Sequence, residues 1–151
     1  MPEGPEVKRI VGRLQKYKGA ILKKITILSG KYKRHGAPKL MKEFNNVLPD
    51  KIISINSKGK FIWMEMENEW SIWMSLGMDG KFVARKIKHA HIKFETDKGT
   101  FYMYDMRNFG CISFCKKPEL LMKKLKSLGP DLIVENPSKD YLYNKIKKSR
   151  S

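Results

Sequence analysis

Apolar residues recur at Val7, Ile10, Val11 and Leu14, the i, i+3, i+4, i+7 spacing of one helix face, and Pro5 suits a first helical turn. The pattern predicts an amphipathic helix over about 5–17. Residues 20–28 are rich in Ile and Leu, alternate only in part and end at Ser29-Gly30, which reads as a strand. A basic loop follows at Lys31-Tyr32-Lys33-Arg34-His35-Gly36, then a short helical turn over 41–48. Further strands are expected at 51–56, 61–67 and 70–76, the last two joined at Asn68-Glu69. The segments 92–96 and 100–104 flank Asp97-Lys98-Gly99, a hairpin signal. Beyond Phe114 the texture shifts: 118–127 sets Leu121, Met122 and Leu125 on one side with Lys on the other, and Gly129-Pro130 stops the helix. Residues 140–148 begin another basic helix. Many short strands with helices at both ends predict an α+β fold, an antiparallel β-sandwich with an amino-terminal helix and carboxy-terminal helices.

Composition narrows the partner. At 151 residues and 41% hydrophobic content the chain has room for one compact domain, not two. Against 15 Asp+Glu stand 32 Lys+Arg, a net charge of +17, which points to a polyanion, with nucleic acid foremost. Only six of the basic residues are Arg, and a Lys-rich, Ile-rich and Asn-rich sequence also arises from AT-rich coding. No apolar run reaches the ~18 residues of a membrane span and the charged start is not a secretory signal, so a soluble intracellular protein without a membrane partner is expected. Cys111 and Cys115 lack His at ligand spacing, which supports neither a disulfide framework nor a zinc site and leaves them as strand-packing residues.

Several residue groups can carry chemistry. Once Met1 is removed, Pro2 offers a secondary amine; an α-amino group titrates near pH ~8, so a useful fraction is neutral and nucleophilic. Such an amine attacking a sugar C1′ gives an iminium, an electron sink that permits elimination, and Glu3 beside it can act as general acid or base. The positive end of the first helix disfavours protonating that amine and favours a nearby anion. Lys60 sits in Ser57-Lys58-Gly59-Lys60-Phe61, where a turn entering a strand would hold it as a phosphate clamp. Met78, between glycines in Leu76-Gly77-Met78-Asp79-Gly80, is either a turn residue packed inward or a wedge that fills a vacated base stack. Arg107 can bond an orphaned base and Phe109 can stack beside it, unless they are a strand-end Arg and a core Phe. His89 and His91, at a period of two, present two imidazoles suited to phosphate contact or to a half-exposed strand face; without further ligands they do not make a metal site.

These segments together carry a resemblance. Met1-Pro2-Glu3-Gly4-Pro5-Glu6-Val7 resembles the opening of the formamidopyrimidine-DNA glycosylase and endonuclease VIII family of base-excision repair enzymes. Lys-Gly-Lys-Phe at 58–61 resembles the family's turn into its lysine strand, Leu-Gly-Met-x-Gly at 76–80 its intercalation loop, and Lys-His-x-His at 88–91 a segment found in many members. Asp-Met-Arg-Asn-Phe-Gly at 105–110 resembles the family's Asp-Pro-Arg-Arg-Phe-Gly, departing from it at Met106 and Asn108, and Leu128-Gly129-Pro130-Asp131 resembles its connection out of the amino-terminal domain.

The resemblance implies that Pro2 is the Schiff-base nucleophile, Glu3 the acid at the deoxyribose ring oxygen, Glu6 a supporting acid and Lys60 the phosphate-contacting lysine. It implies further that Met78, Arg107 and Phe109 fill the gap left by an everted base and that His89 and His91 touch phosphate. The implied activity is that of a DNA glycosylase and abasic-site lyase removing oxidised bases from damaged double-stranded DNA by β,δ-elimination, without metal or organic cofactor. Gly4 and Asn108 lean toward the endonuclease VIII-like members and oxidised pyrimidines, whereas Arg107 with Phe109 also suits oxidised purines. The expected domain is 1–131, with 132–151 a linker and the truncated start of a helix-two-turns-helix domain; the family's zinc finger is absent from this chain. A monomer that calls on the missing second domain is one expectation, and a catalytically silent DNA-binding remnant is the other.

Overall fold

The computed structural model describes residues 3–108 and 110–129. Pro2, Phe109, the 128–131 connection beyond Gly129 and the helix expected at 140–148 therefore lie outside the described residues. Helix α1 spans Gly4–Arg13 and runs into a 3-10 turn at Leu14–Tyr17; β1 is Ile21–Ile27, α2 Lys31–Arg34, α3 Met41–Asn46, β2 Asp50–Lys58, β3 Phe61–Met66 and β4 Ser71–Ser75. Then come β5 Lys81–Val83, β6 Ala90–Thr96, β7 Gly99–Tyr104, β8 Cys111–Cys115 and α4 Pro118–Ser127.

The strands form one antiparallel sheet in the order β5-β7-β6-β1-β2-β3-β4-β8. Connection lengths decide its shape. The chain passes from β4 to β5 through 76–80 and from β7 to β8 through 105–110, and each passage crosses six strand spacings. Laid flat, six spacings of ~4.8 Å would separate those ends by ~29 Å. Six or seven extended Cα steps reach only about 20–25 Å. The sheet must therefore fold over until its two ends approach, which is the expected sandwich. The fold line lies at β1–β2, where only Ile21↔Lys51 and Leu22↔Asp50 pair. One core cluster draws on both halves, with Ile25, Phe94, Phe101 and Met103 from one and Ile55, Ile62, Met64, Ile72 and Phe114 from the other.

Helix α1 closes one side of that core through Val7 and Val11, continued by Leu14 and Tyr17. Its register on the sheet is fixed by Gln15, whose Nε2 donates to the Ile55 carbonyl at 2.8 Å. Phe94 and Phe101 are directly opposed across β6–β7 and their rings stack at 4.7 Å, a pairing worth about 0.2–1 kcal/mol beyond burial. Strand β3 is buried on both faces: Ile62, Met64 and Met66 enter the core, while Trp63 lies under Leu121 and Leu125 of α4 with Phe61 and Trp73 around it. Cys111 and Cys115, expected as strand residues, begin and end β8, the first exposed and the second buried.

Candidate active site

Glu3 is the N-cap residue of α1, with extended backbone (φ −81°, ψ 167°), and its carbonyl accepts the Val7 N–H at 2.9 Å to start the helix. Its side chain does not cap the helix. Instead the carboxylate lies 3.5 Å from Lys60 Nζ, with both side chains largely exposed. Lys60 reaches it because Lys58 pairs with Phe61, which leaves Gly59-Lys60 as a two-residue hairpin loop with Gly59 at φ 58°. Gly4 faces that loop: a Cβ added there would lie 3.6 Å from the Gly59 Cα, so the hairpin tip stands one side-chain carbon away from the helix start. The fold thus brings together the carboxylate and the lysine that the sequence singled out 57 positions apart. Glu6 stands exposed in the first turn of α1 and makes no ion pair among the described residues. An open carboxylate–ammonium pair at the positive end of a helix can bind a phosphate or trade a proton at an adjacent atom.

The second cluster forms on the two connections that join the ends of the sheet. Met78 is 52% exposed, hence not a turn residue packed inward, and Arg107 Nη1 lies 3.7 Å from its Sδ. Both loops converge on Asp105, only 3% exposed, whose carboxylate accepts the Gly110 N–H. Across from it is Gly77, where an added Cβ would come within 2.7 Å of Asp105 Oδ2 and 2.9 Å of Oδ1. The backbone of residue 105 is equally committed: its N–H donates to His89 O at 3.0 Å and its carbonyl accepts the Asn108 N–H at 3.2 Å. Asp105 Oδ1 and Asn108 Nδ2 are buried without a hydrogen-bond partner among the described residues.

The histidines are placed otherwise than a shared strand face predicts. His89 precedes β6 in the left-handed region at φ 68°, and the β6–β7 register shifts between Ala90 and Ile92, so the period-two argument does not hold; the rings are nevertheless 6.0 Å apart. His91 is tied into the scaffold. Its Nε2 lies 2.8 Å from the Asp105 carbonyl, which can only accept, so Nε2 carries a hydrogen, and Nδ1 pairs with Ser29 Oγ at 2.8 Å. With both nitrogens engaged, His91 can touch a phosphate only by giving up one of these partners.

The expected basic loop at 31–36 is instead a helical turn, α2, with firm anchors. Gly30 adopts φ 85°, and a Cβ there would fall 2.8 Å from Asn108 Nδ2 and 2.9 Å from His91 Nδ1. Tyr32 accepts the Ile112 N–H at 3.1 Å and donates to the Ile112 carbonyl at 3.3 Å, a dual role open only to the neutral phenol. Burial pushes that phenol above its ordinary value, helped by the nearby Cys111 and opposed by the Ile112 hydrogen bond and by Lys31. Asp105, Ser29 and Gly30 were not singled out from sequence. The available signal was an acidic residue closing the apolar run of β7 immediately before a glycine-bounded turn.

Fold and clusters define a helix-headed, closed β-sandwich domain with a basic surface. Residues 1–112 match the family model described as the formamidopyrimidine-DNA glycosylase N-terminal domain, and the chain belongs to that family. Among curated relatives, the formamidopyrimidine-DNA glycosylase of Ureaplasma parvum is 33% identical, covering 99% of this chain and 57% of its own length. That of Acinetobacter baylyi is 31% identical, covering 97% and 54%. A crystal structure of a Lactococcus lactis Fpg mutant with a Fapy-dG-containing DNA superimposes with a TM-score of 0.67 at 26% identity, over 83% of this chain and 47% of that one. The chain spans about half the length of the curated relatives it matches. No helix among the described residues is long and apolar enough to cross a membrane.

Proposed function

We propose that this chain is the catalytic domain of a base-excision repair DNA glycosylase and abasic-site lyase acting on oxidised bases in double-stranded DNA. The observation that supports it most is the Glu3–Lys60 pair at the start of α1, beside the residue that would carry the nucleophilic amine. In this reading the Pro2 amine, freed of Met1, attacks C1′ of the damaged nucleotide and gives up its proton, while Glu3 protonates the ring oxygen and the C1′–O4′ bond breaks. The C1′–base bond breaks, the departing base takes a proton, and an iminium remains. Loss of a C2′ proton then expels the 3′ phosphate, and a further elimination expels the 5′ phosphate. Lys60 holds a flanking phosphate throughout. Met78 enters the stack left by the everted nucleotide, and Arg107 with Phe109 meets the unpaired partner base. The residues need no metal or organic cofactor for these steps, and the protein acts as a monomer inside the cell.

Borohydride trapping on an abasic-site duplex tests the reading. A covalent adduct from protein lacking Met1, lost in Pro2→Gly, is expected; no adduct at low salt from protein whose intact mass confirms Met1 removal would sink it. The second reading is a DNA-binding domain without chemistry, favoured by the net charge of +17, which serves phosphate binding with or without a nucleophile. It predicts duplex binding with no adduct.

A further inference from the structure

We propose that α2 is a separate phosphate-binding element, which grips the backbone of a DNA duplex through Lys33 and Arg34, with Lys31 at its inner end, alongside the Met78 and Arg107 loops. The inference rests on the DNA-directed reading above and names a contact surface that reading does not use.

Position is the first ground. Two contacts fasten α2 to the strand that the Arg107 connection enters, the Tyr32 hydroxyl on Ile112 and Lys31 Nζ 3.3 Å from Cys111 Sγ, and the approach of Gly30 to Asn108 and His91 leaves no room for a Cβ. Core packing does not account for this anchorage, because α2 contains no fully buried residue and only Tyr32 packs partly on the core. What the anchors hold in place is charge.

The charge itself is the second ground. Residues 29–42 include Lys31, Lys33, Arg34, Lys39 and Lys42 and no Asp or Glu. Lys33 and Arg34 are exposed, and neither they nor Lys31 forms an ion pair among the described residues. Unpaired cations packed this closely repel one another, and an arriving phosphate backbone relieves that repulsion while releasing its own counterions. A solvated basic face would be expected to float on its loop. This one is held in a fixed relation to Arg107, so the phosphates it meets are those flanking whatever Arg107 reads.

The test is the salt dependence of binding, measured by fluorescence anisotropy of the full chain on a duplex carrying an abasic-site analogue. Lys33→Gln with Arg34→Gln should flatten the slope of log K against log salt by about 1.8, at roughly 0.9 per lost phosphate contact. An equal loss of charge on α4, Lys123→Gln with Lys126→Gln, should leave the slope near that of the parent, because α4 packs on the outer face of β3. Circular dichroism confirms that both variants keep the fold. If the two double variants flatten the slope equally, or the α2 pair leaves it unchanged while the parent binds, α2 is not a phosphate element and the glycosylase reading stands. If the parent shows no salt-dependent binding, both fall together.

Discussion

The Glu3–Lys60 site and the Met78–Arg107 site are built on opposite plans. The first is assembled from outside: two exposed side chains meet over a hairpin tip, where a Cβ added at Gly4 would only reach ordinary contact with Gly59. The second is assembled from inside: a buried carboxylate takes a backbone N–H, and the space facing it admits no Cβ. The difference separates two kinds of dependence. Where a charged pair sits on an open surface, a side chain can be lost with little harm to the fold; where loops are braced by the core, shape and stability are the same property.

Lys60→Ala offers the sharpest break between the two. If the exposed pair serves the reaction, adduct formation should slow about 100-fold, the scale of one lost electrostatic contact in a transition state. Its thermal midpoint should move by no more than about 4 °C, because exposed ion pairs contribute about 0–1 kcal/mol. A large drop in midpoint would show that the amino-terminal site is structural after all. Gly77→Val should do the reverse, forcing Asp105 or the loop to move at a cost of about 1–3 kcal/mol, read as a lower urea midpoint. An unchanged midpoint would mean that the 76–80 loop is not braced from within.

Tyr32→Phe probes the brace more gently, costing about 1 kcal/mol for its paired hydrogen bonds at neutral pH. It also carries a pH signature. Burial raises the Tyr32 phenol above the 10.0 of the unfolded chain, so the unfolded state releases its proton first. Stability is therefore unaffected by this group below pH ~10 and falls as pH climbs through the raised value. The phenylalanine variant should lose stability less steeply there; an identical alkaline limb in both proteins would remove Tyr32 from the account.

Much of this architecture was legible in the chain. Helix α1 and the β6–β7 hairpin showed their periods plainly, and the Lys60 turn was marked by Gly59. Strand β5 escaped, since three residues at Lys81–Val83 cannot display an alternation, and β8 was marked only at its ends, by Cys111 and Cys115. Helix α2 is a single turn and has no period to show. Strand β3 reads as an apolar run over 61–64 because it is covered on both sides, once by the core and once by α4. The histidine pair shows where spacing misled: a left-handed residue ahead of the strand removes the alternation on which the shared face depended. Asp105 was marked only as the first residue of its motif, since its importance comes largely from Gly77, which only the folded chain brings to it.

Surface loops are ordinarily the places where a protein accepts an extra residue at little cost. The connections 76–80 and 105–110 should not behave so, for they carry the chain between the two ends of a folded-over sheet and meet at one buried carboxylate. Their lengths are part of the closure. Among the described loops, these two are where an insertion should be refused, and the refusal would come from the sandwich before any nucleic acid was involved.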